Sequence, residues 1–540
     1  MNIALPVLGG LGLFLYGMNL MGIGLQKAAG DRLKKLIEVL TNNRLMGVIV
    51  GTVVTMIIQS SSATTVMVVG FVNAGLMTLP QAVGVIMGAN IGTTITAQLI
   101  AFNLTDFAPI AVAVGVGIWI ATSKKKAKSI AEILIGFGIL FMGMDMMGSG
   151  LKPLADMPVF TNIMISLKNP VLGMLVGLGL TAIIQSSSAS VGLLQALAGQ
   201  GLIQMDVAFP ILFGQNIGTT TTALISSIGA NKTAKRAAVL HFLFNLIGTI
   251  LFMTLLRAPI EVAVMKISPF DVKRQIANAH TFFNIINVII QLPFVNLLVK
   301  IAQAIVPGDD KLEVQEAKFL DPRIIETPSI ALGQVKKEIL RMGSLALDNL
   351  NKVRYAFVEE RYENIDLVLE QEQKINRLQR EITDYLVLLS NAPISDEEHK
   401  RVNIFFNIIN DIERVGDHAE NIAELAMERR DNNFPFTDQA IGELHEIFDK
   451  VSEAFQQALE AFKSNNEALA KGVLTLEDEV DSLQRQNRSN HIDRLNKGQC
   501  LTGSGIIFLD SLSNLERMAD HSSNIALFVL DKNKTSPKTI

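Results

Sequence analysis

The chain has 540 residues and a formal net charge of only −4, so its overall charge gives no sign of a nucleic-acid partner. Charged residues are sparse before about residue 300 and dense after it, which divides the chain into an apolar half and a polar half. The single cysteine, Cys500, excludes an intramolecular disulfide and fits a reducing compartment for the polar half.

The apolar half has the composition of a helical membrane domain. Asp106 is the only charged residue in 45–122, and Asp206 is the only one in 171–228. Residues 3–25 have no basic residue before them and no obvious small-residue cleavage site after them. We therefore expect a retained transmembrane helix there rather than a signal peptide.

Two of the nine apolar segments are too long for a single crossing and are interrupted near the middle. Residues 46–76 and 171–200 each contain a Gln-Ser-Ser-Ser-Ala sequence, whose side chains compete for backbone hydrogen bonds and favour a break. We expect a re-entrant hairpin of two half-helices at each place. The nine segments lie at about residues 3–25, 46–76, 81–101, 107–122, 130–150, 171–200, 207–228, 237–257 and 279–300.

The apolar half is a tandem duplication with a constant offset. The Gln-Ser-Ser-Ser-Ala sequence at 59–63 returns at 185–189, and 185 − 59 = 126. The Asn-Ile-Gly-Thr-Thr sequence at 90–94 returns at 216–220 with the same offset, 216 − 90 = 126. Each copy thus places a cluster of hydroxyls and carboxamides inside an apolar stretch, where polar groups usually mark a pathway or a site.

The distribution of basic residues predicts an orientation. The repeats lie at about residues 3–122 and 129–257, and each is expected to cross the membrane three times. Because three is an odd number, the two repeats are predicted to have opposite orientations, and the chain is predicted to cross about seven times in all. Basic loops at 27–44, 124–128 and 232–236 then share one side, which the positive-inside rule assigns to the cytoplasm, together with the polar half. Residues 258–278 are also basic but fall on the other side, so we expect that segment to be re-entrant or amphipathic.

This arrangement is typical of a transporter for a small anion. The N-terminus of each half-helix offers free N–H groups and partial positive charge, and serine hydroxyls can donate to phosphate oxygens. Neither interrupted segment contains Lys or Arg, so a multiply charged anion needs accompanying cations, which hydroxyl, carboxamide and carbonyl oxygens can ligate. The alternative is that small Ser and Thr residues only allow close helix packing, which the repetition in register disfavours.

The paired motifs resemble those of the type II sodium–phosphate cotransporter family, over about residues 3–300. The resemblance implies secondary active transport of inorganic phosphate coupled to Na⁺, a membrane domain over residues 1–306, and a substrate and ion site formed by the hairpins. The second copy has Gln215 in place of Ala89, and Ala189-Ser190-Val191 in place of Ala63-Thr64-Thr65, so we expect the two half-sites to differ in cation binding. The site residues that the resemblance implies are Gln59, Ser60, Ser61, Ser62, Asn90, Thr93, Thr94, Gln185, Ser186, Ser187, Ser188, Asn216, Thr219 and Thr220.

A further polar pattern occurs twice in the apolar half. His241 with Asn245, and His280 with Asn284, repeat a His-x-x-Phe-Asn sequence that puts both side chains on one helix face. Helix packing is one interpretation of this pattern. A gating or proton-sensitive role is the other.

The polar half is predicted to be a helical cytoplasmic domain. Residues 307–328 contain Gly and Pro and have the composition of a linker. Helical periodicity dominates 329–540, with breaks near 391–393, 432–436 and 497–498, which predicts six helices in two three-helix bundles. The chain as a whole is therefore predicted to be all-α, with two inverted repeats and re-entrant hairpins in the membrane.

A second duplication lies in the polar half. Glu413 and Asp417 recur as Glu516 and Asp520, each pair being followed by His, and 516 − 413 = 103. Carboxylates at i and i+4 share a helix face and repel each other unless a cation lies between them; a solvated polar face is the alternative. The pattern resembles the PhoU family of phosphate-signalling proteins over about 329–540. That resemblance implies a metal site in each half, ligated by these four carboxylates, and Fe or Zn as the metal; oxygen ligands alone also suit Mg or Mn.

These observations favour a Na⁺-coupled symporter of inorganic phosphate in a bacterial inner membrane, working by alternating access, with a cytoplasmic regulatory domain. The residues set no direction of net flux. The alternative function is a membrane-anchored phosphate sensor that binds a cytoplasmic signalling protein. An enzyme is disfavoured because the chain has no Gly-rich phosphate loop, no HExxH sequence and no credible nucleophile–base pair. Membrane lipid and a second copy of the chain are further expected partners, and nucleic acid is not.

Overall fold

The computed structural model describes residues 3–29, 44–102, 104–308, 317, 319–392 and 394–534. The described residues form helices and turns without a β-strand, which confirms the all-α class. They divide into two compact units, Met1–Leu312 and Glu313–Ile540. Arg32, Lys34 and Lys35 of the first basic loop, and residues 309–316 of the predicted linker, lie outside the described residues.

The first unit contains fifteen α-helices among its described residues, named α1 to α15 in chain order. Short 3₁₀ turns at Thr105–Phe107, Lys152–Asp156 and Leu292–Phe294, and a π turn at Phe252–Leu256, connect some of them. The fifteen helices are Ala4–Ala29, Arg44–Ile58, Ser61–Asn73, Leu79–Ala101, Ala108–Ala121, Lys125–Leu151, Pro158–Ser166, Pro170–Ile184, Ser187–Gly199, Met205–Gly218, Thr220–Ser226, Lys232–Leu251, Arg257–Ile267, Val272–Gln291 and Val295–Ile305.

Five stretches among the described residues are long and apolar enough to cross a membrane. A bent pair, Pro158–Ser166 with Pro170–Ile184, raises this number to six if it forms one span. The segment predicted to be re-entrant or amphipathic is helical over Arg257–Ile267 and continues from α12 through the π turn. The five stretches are Ala4–Ala29, Leu79–Ala101, Lys125–Asp156, Lys232–Ile267 and Val272–Ile305.

The duplication extends to the ends of the helices. α2 and α8 begin and end at residues that differ by 126, since 170 − 44 = 126 and 184 − 58 = 126. The same holds for α3 and α9, since 187 − 61 = 126 and 199 − 73 = 126. Both interrupted segments therefore break at the Gln-Ser pair, as the sequence predicts.

Each interrupted segment is a hairpin that packs on the following long helix. In the first hairpin, residues 44–73, Gly88 packs against Val48 and Gly92 against Thr52, so α2 and α4 run parallel. α3 then runs back along α4, because it ends at Asn73 only a short turn before α4 begins at Leu79.

The second hairpin, residues 170–199, repeats this geometry. Gly214 packs against Met174 and Gly218 against Leu178, so α8 and α10 run parallel. The glycines allow the backbones to come this close, because a Cβ at Gly88 or Gly214 would overlap the opposing backbone carbonyl.

The equivalent helices α1 and α6 pack against each other in opposite directions. Gly10 packs against Gly143, and Gly17 packs against Gly136. Gly136 and Gly143 are the counterparts of Gly10 and Gly17, since 136 − 10 = 126 and 143 − 17 = 126. Each glycine therefore contacts the counterpart of the other, which is the pattern of a two-fold axis that relates two antiparallel helices.

An aromatic cluster stabilises the helices around the second repeat. Phe213 lies 4.5 Å from Phe209, 5.7 Å from Phe252 and 4.9 Å from Phe283, measured between ring centroids. All four side chains are fully buried. Such ring pairs contribute about 0.5–1.5 kcal/mol each beyond the area they bury, and here they join α10 to the π turn and to α14.

The described residues of the second unit form six long helices, named α16 to α21, in two three-helix bundles. α16, α17 and α18 pack together as the first bundle, and α19, α20 and α21 pack together as the second. The bundles meet through α18 with α21 and through α16 with α19. This arrangement confirms the predicted pair of three-helix bundles. The helices are Pro328–Val358, Ile365–Ser390, Asp396–Asp431, Asp438–Ser464, Glu467–Asn496 and Thr502–Lys534.

The bundle helices follow the apolar spacing that the sequence shows. On α19 the side chains of Leu444, Phe448, Val451 and Phe455 are fully buried, at intervals of three and four residues. α18 begins where it does because Ser395 accepts a hydrogen bond from Glu398 N at 3.3 Å and its own N–H donates to Glu398 Oε2 at 2.8 Å. This reciprocal pair satisfies two backbone groups at the helix start.

Candidate functional site

The two hairpins break at equivalent glutamines in a left-handed conformation. Gln59 and Gln185 have φ angles of 60° and 56°, which cost an L residue about 1–2 kcal/mol. Gln59 N donates to Thr55 O at 2.7 Å, and Gln185 N donates to Thr181 O at 2.7 Å. The first half-helix of each hairpin therefore ends at the residue directly before its glutamine.

The next residue in each copy begins the second half-helix. Ser60 Oγ accepts from Ala63 N at 3.1 Å, and Ser186 Oγ accepts from Ala189 N at 3.3 Å. The first N–H groups of a helix have no partner within it, and the serine cap uses only one of them. The N-termini of α3 and α9 thus keep the polarity that favours an anion, and anion binding there stays a prediction.

The two predicted glutamines lie in different surroundings. Gln59 is buried, its Oε1 accepts from Thr96 Oγ1 at 2.9 Å, and its Nε2 donates to Met56 O at 2.6 Å. Gln185 is exposed. The half-sites are therefore unequal at this position, although their backbones are equivalent.

The structure brings predicted residues of the two repeats together. Thr93 Oγ1 on α4 lies 3.5 Å from Ser187 Oγ at the start of α9. α3 of the first hairpin packs against α11 of the second repeat. Ser61, Ser187 and Ser188 are buried, while Ser62 is partly exposed. The first Asn-Ile-Gly-Thr-Thr run and the second serine cluster therefore meet at a contact between the repeats.

The Asn-Ile-Gly-Thr-Thr runs supply one spare donor and several acceptors. Asn90 is buried, and its Nδ2 has no hydrogen-bond partner among the described residues, whereas Asn216 Nδ2 donates to a backbone carbonyl. The hydroxyls of Thr94, Thr219 and Thr220 each donate to a carbonyl of the preceding turn. Asn90 can therefore donate to an anion, and the threonine oxygens can ligate a cation.

Charged side chains are absent from the described parts of both hairpins except at the first residue of α2. Arg44 lies at that end, away from the break at Gln59, and its guanidinium donates to Asn296 Oδ1 at 2.5 Å. The neutral hairpins thus have no fixed cation with which to bind a phosphate.

The histidine–asparagine pairs are buried in the apolar unit. Asn245 Nδ2 donates to His241 O at 3.1 Å, and Asn284 Nδ2 donates to His280 O at 2.9 Å. Both imidazole nitrogens of His241 lack a partner among the described residues. The predicted shared helix faces are present, and a gating role stays a prediction.

The second bundle gathers acidic side chains from two helices. Oxygen atoms of Glu477, Asp481 and Asp520 lie within 4.8 Å of one another. The pKa of Asp520 is raised mainly by burial and further by the negative charge of Asp481. The pKa of Glu516 is likewise raised mainly by burial and further by the negative charge of Asp520. Glu477 and Asp481 are not among the residues predicted from the sequence, although their Glu-x-x-x-Asp spacing on α20 is visible there.

The first bundle has a corresponding cluster built on Glu372 of α17, which our sequence analysis also missed. Glu372 is only 1% exposed, and neither carboxylate oxygen has a hydrogen-bond partner among the described residues. Burial, and then the charges of Asp417, Glu420 and Glu413, raises its pKa to about 8. Gly416 leaves room for this carboxylate, because a Cβ there would overlap Glu372 Oε2. Unpaired buried oxygens beside further carboxylates fit a cation.

The histidines next to these clusters join the bundles. The rings of His418 and His521 stack with centroids 5.8 Å apart. His418 Nδ1 lies 2.9 Å from Asn514 Oδ1, and His521 Nδ1 lies 2.9 Å from Asp411 Oδ1. The partners are again equivalent, since 514 − 411 = 103. Each cluster thus consists of carboxylates, and these imidazole nitrogens contact the other bundle.

Comparison with known protein families matches both units. The family model described as Na⁺/Pi-cotransporter matches residues 13–149 and 142–268. The PhoU domain model matches residues 339–426 and 444–529. Each family is matched twice, in agreement with the two duplications.

Three curated relatives cover different parts of the chain. An Escherichia coli (strain K12) protein named "Putative inorganic phosphate export protein YjbB" is 25% identical over 535 residues, 98% of this chain and 97% of that protein. "Uncharacterized protein YqeW" of Bacillus subtilis (strain 168) is 30% identical over 296 residues, 55% of this chain and 95% of that protein. Human "Sodium-dependent phosphate transport protein 2C" is 43% identical over 98 residues, 17% of this chain and 16% of that protein. The chain therefore belongs to the Na⁺/Pi-cotransporter family, with PhoU domains in its C-terminal part.

Proposed function

We propose that the protein is a Na⁺-coupled symporter of inorganic phosphate that works by alternating access and carries a cytoplasmic regulatory domain. The observation that carries the proposal is the meeting of the two repeats, where Thr93 Oγ1 of one lies 3.5 Å from Ser187 Oγ of the other. Phosphate binds between the N-termini of α3 and α9, which supply N–H groups and serine hydroxyls.

The polar groups at this contact divide between the two solutes. Asn90 Nδ2 has no other partner among the described residues and donates to phosphate. The oxygens of Thr94, Thr219 and Thr220, whose hydrogens are used by backbone carbonyls, ligate Na⁺. Phosphate brings Na⁺ with it because the hairpins hold no fixed positive charge near the breaks.

Alternating access follows from repeats of opposite orientation in the membrane. The antiparallel contact of α1 with its counterpart α6 supports this orientation, since Gly10 and Gly17 each pack against the counterpart of the other. The first hairpin then opens to one side and the second to the other. The basic loops put the N-terminus outside and the C-terminal unit in the cytoplasm of a bacterial cell membrane.

The names of the relatives bear on coupling and direction. A relative named as a sodium-dependent phosphate transport protein supports Na⁺ as the coupling ion, and one named as a phosphate export protein supports outward flux under phosphate excess. Coupled flux reverses with the gradients, so one site serves uptake and export.

The C-terminal unit regulates this flux through its acidic clusters. In this proposal each acidic cluster binds one metal ion, which is Fe, Zn or Mg. The first cluster consists of Glu413, Asp417 and Glu372, and the second consists of Glu516, Asp520, Glu477 and Asp481. A bound cation neutralises carboxylates that otherwise repel one another across two helices. Membrane lipid, a second copy of the chain and a cytoplasmic phosphate-signalling protein are the further proposed partners.

Phosphate flux in proteoliposomes tests the substrate site. Ser61→Ala combined with Ser187→Ala removes one buried hydroxyl from each hairpin, and we expect Na⁺-driven phosphate uptake to be lost. Ser166→Ala is the matched control, because Ser166 is exposed and bonds only within its own helix turn. Wild-type flux in the double variant contradicts the site. Binding of phosphate without flux in the wild type favours the sensor function instead.

A further inference from the structure

Three buried oxygens, two in the second hairpin and one on the helix that packs against it, have no hydrogen-bond partner among the described residues. They are Thr181 Oγ1 on α8, Ser190 Oγ on α9 and Gln215 Oε1 on α10. Thr181 and Ser190 are fully buried, and Gln215 is 1% exposed. Each such atom costs about 1–3 kcal/mol when it stays unpaired, so three together indicate an absent ligand.

The first repeat shows how these positions lie relative to one another. Its counterparts of Thr181 and Ser190 are Thr55 and Thr64, and their hydroxyls are 3.0 Å apart and hydrogen-bonded. The backbones agree, since Thr55 packs on Gly92 as Thr181 packs on Gly218. The first repeat therefore satisfies its own hydroxyls, whereas the second leaves them free.

Gln215 adds a third oxygen that the first repeat lacks. Its counterpart there is Ala89. Gln215 Nε2 donates to Ser190 O at 3.0 Å, which places the carboxamide beside Ser190. A carbonyl accepts only from the amide nitrogen, so this bond fixes which end of the carboxamide is Oε1. The oxygen that remains is an acceptor without a donor.

The helix end at Thr181 favours a cation. Thr181 lies in the last turn of α8, which ends at Ile184, and the C-terminus of a helix carries partial negative charge and free carbonyls. Oxygen atoms of hydroxyls, carboxamides and helix-end carbonyls are the ligands that hard cations take in proteins. The group is neutral, which suits a monovalent cation.

We propose that Thr181, Ser190 and Gln215 form a Na⁺ site in the second repeat, separate from the serine cluster at the break. The inference rests on the proposed Na⁺ coupling and assigns one coupling ion to a position. It explains why Thr55 and Thr64 are hydrogen-bonded in the first repeat whereas their counterparts Thr181 and Ser190 are not. It also makes the two halves of the transporter unequal in the ions they hold.

Equilibrium binding of radiolabelled Na⁺ to the purified full-length protein tests the site directly. Gln215→Ala introduces the residue of the first repeat, and Ser190→Ala is a second variant in case the first fails to fold. Gln204→Ala is the matched control, because Gln204 is exposed and its side chain makes no cap bond at the start of α10. We expect both site variants to bind one Na⁺ fewer per chain than the wild type and the control.

Phosphate uptake by the same proteins separates the two hypotheses. Equal Na⁺ stoichiometry and affinity in wild type and folded site variants overturn the Na⁺ site, including the case in which the oxygens hold only water. A loss of one Na⁺ together with no Na⁺-dependent uptake by the wild type overturns the symporter and retains the site. A loss of one Na⁺ together with weaker Na⁺-driven uptake in the variants supports both.

Discussion

Replacement of Glu372 by glutamine gives a prediction with a calculable size. Burial and neighbouring carboxylates raise the Glu372 pKa from 4.5 to about 8, a difference of 8 − 4.5 = 3.5. At about 1.36 kcal/mol per pKa unit, ionisation of this carboxyl costs the metal-free first bundle about 5 kcal/mol. Glu372→Gln removes that cost but leaves a buried amide unpaired, which costs about 1–3 kcal/mol. We therefore expect a net gain of about 2–4 kcal/mol above about pH 8 without metal.

The dependence on pH has a definite sign. Between about pH 4.5 and 8 the unfolded chain has lost the proton that the folded bundle retains, so unfolding releases a proton. The contribution of Glu372 to the free energy of unfolding of the metal-free bundle therefore falls as the pH rises through this range and is constant above it. A divalent cation that binds the ionised carboxylate removes the loss.

Hydrogen exchange of the full-length protein in chelator, followed on peptides from α17 and α18 at about pH 6 and about pH 9, measures this effect. We expect the wild type to be less protected at the higher pH after correction for intrinsic exchange, and Glu372→Gln to restore protection. Glu370→Gln, at an exposed position of the same helix, is the control and should change protection little, because its ion pair with Lys374 is exposed to solvent. Equal wild-type protection at both pH values, or a less protected Glu372→Gln variant at the higher pH, would contradict the cost of ionising the buried Glu372 carboxyl.

Two further predictions concern packing and a buried ion pair. Gly88→Ala places a Cβ against the Val48 carbonyl and should cost about 1–3 kcal/mol of stability and reduce phosphate flux. Gly117→Ala is the control and should do neither, because the space around Gly117 is open. Equal thermal midpoints and fluxes in the two variants would contradict the close helix contact. Arg494, 5% exposed, forms a bidentate pair with Glu443 at 2.7 and 2.8 Å, so Arg494→Met should cost about 3–5 kcal/mol in urea unfolding. A loss below about 1 kcal/mol, the size of a surface pair, would show that solvent screens this ion pair.

The interruption of the two hairpins could be predicted because its cause is local. Ser60 and Ser186 bond the backbone three residues ahead, so the sequence alone indicates where a new helix begins. The constant offset of 126 predicts equivalent backbones, and the helix ends agree with it. The exposure of Gln185 could not be predicted, since the matching Gln59 is held by Thr96 on another helix.

The acidic clusters could be predicted from the sequence only in part. Glu413 and Asp417 share one helix face, and that spacing is visible in the sequence. Glu372 belongs to a different helix, and its role depends on how α17 packs against α18 at Gly416. The unpaired oxygens of the second repeat are also a property of packing, because a sequence does not tell which hydroxyls find partners. Contacts between helices therefore set the part of the site that the sequence leaves undetermined.

Uptake of labelled phosphate into proteoliposomes that contain the purified full-length protein tests the central proposal most directly. An inward Na⁺ gradient is compared with an equal K⁺ gradient, at matched ionic strength and membrane potential. We expect transient phosphate accumulation above equilibrium with Na⁺ and none with K⁺. Phosphate accumulation that is the same with both cations, or absent with both, would contradict Na⁺-coupled transport.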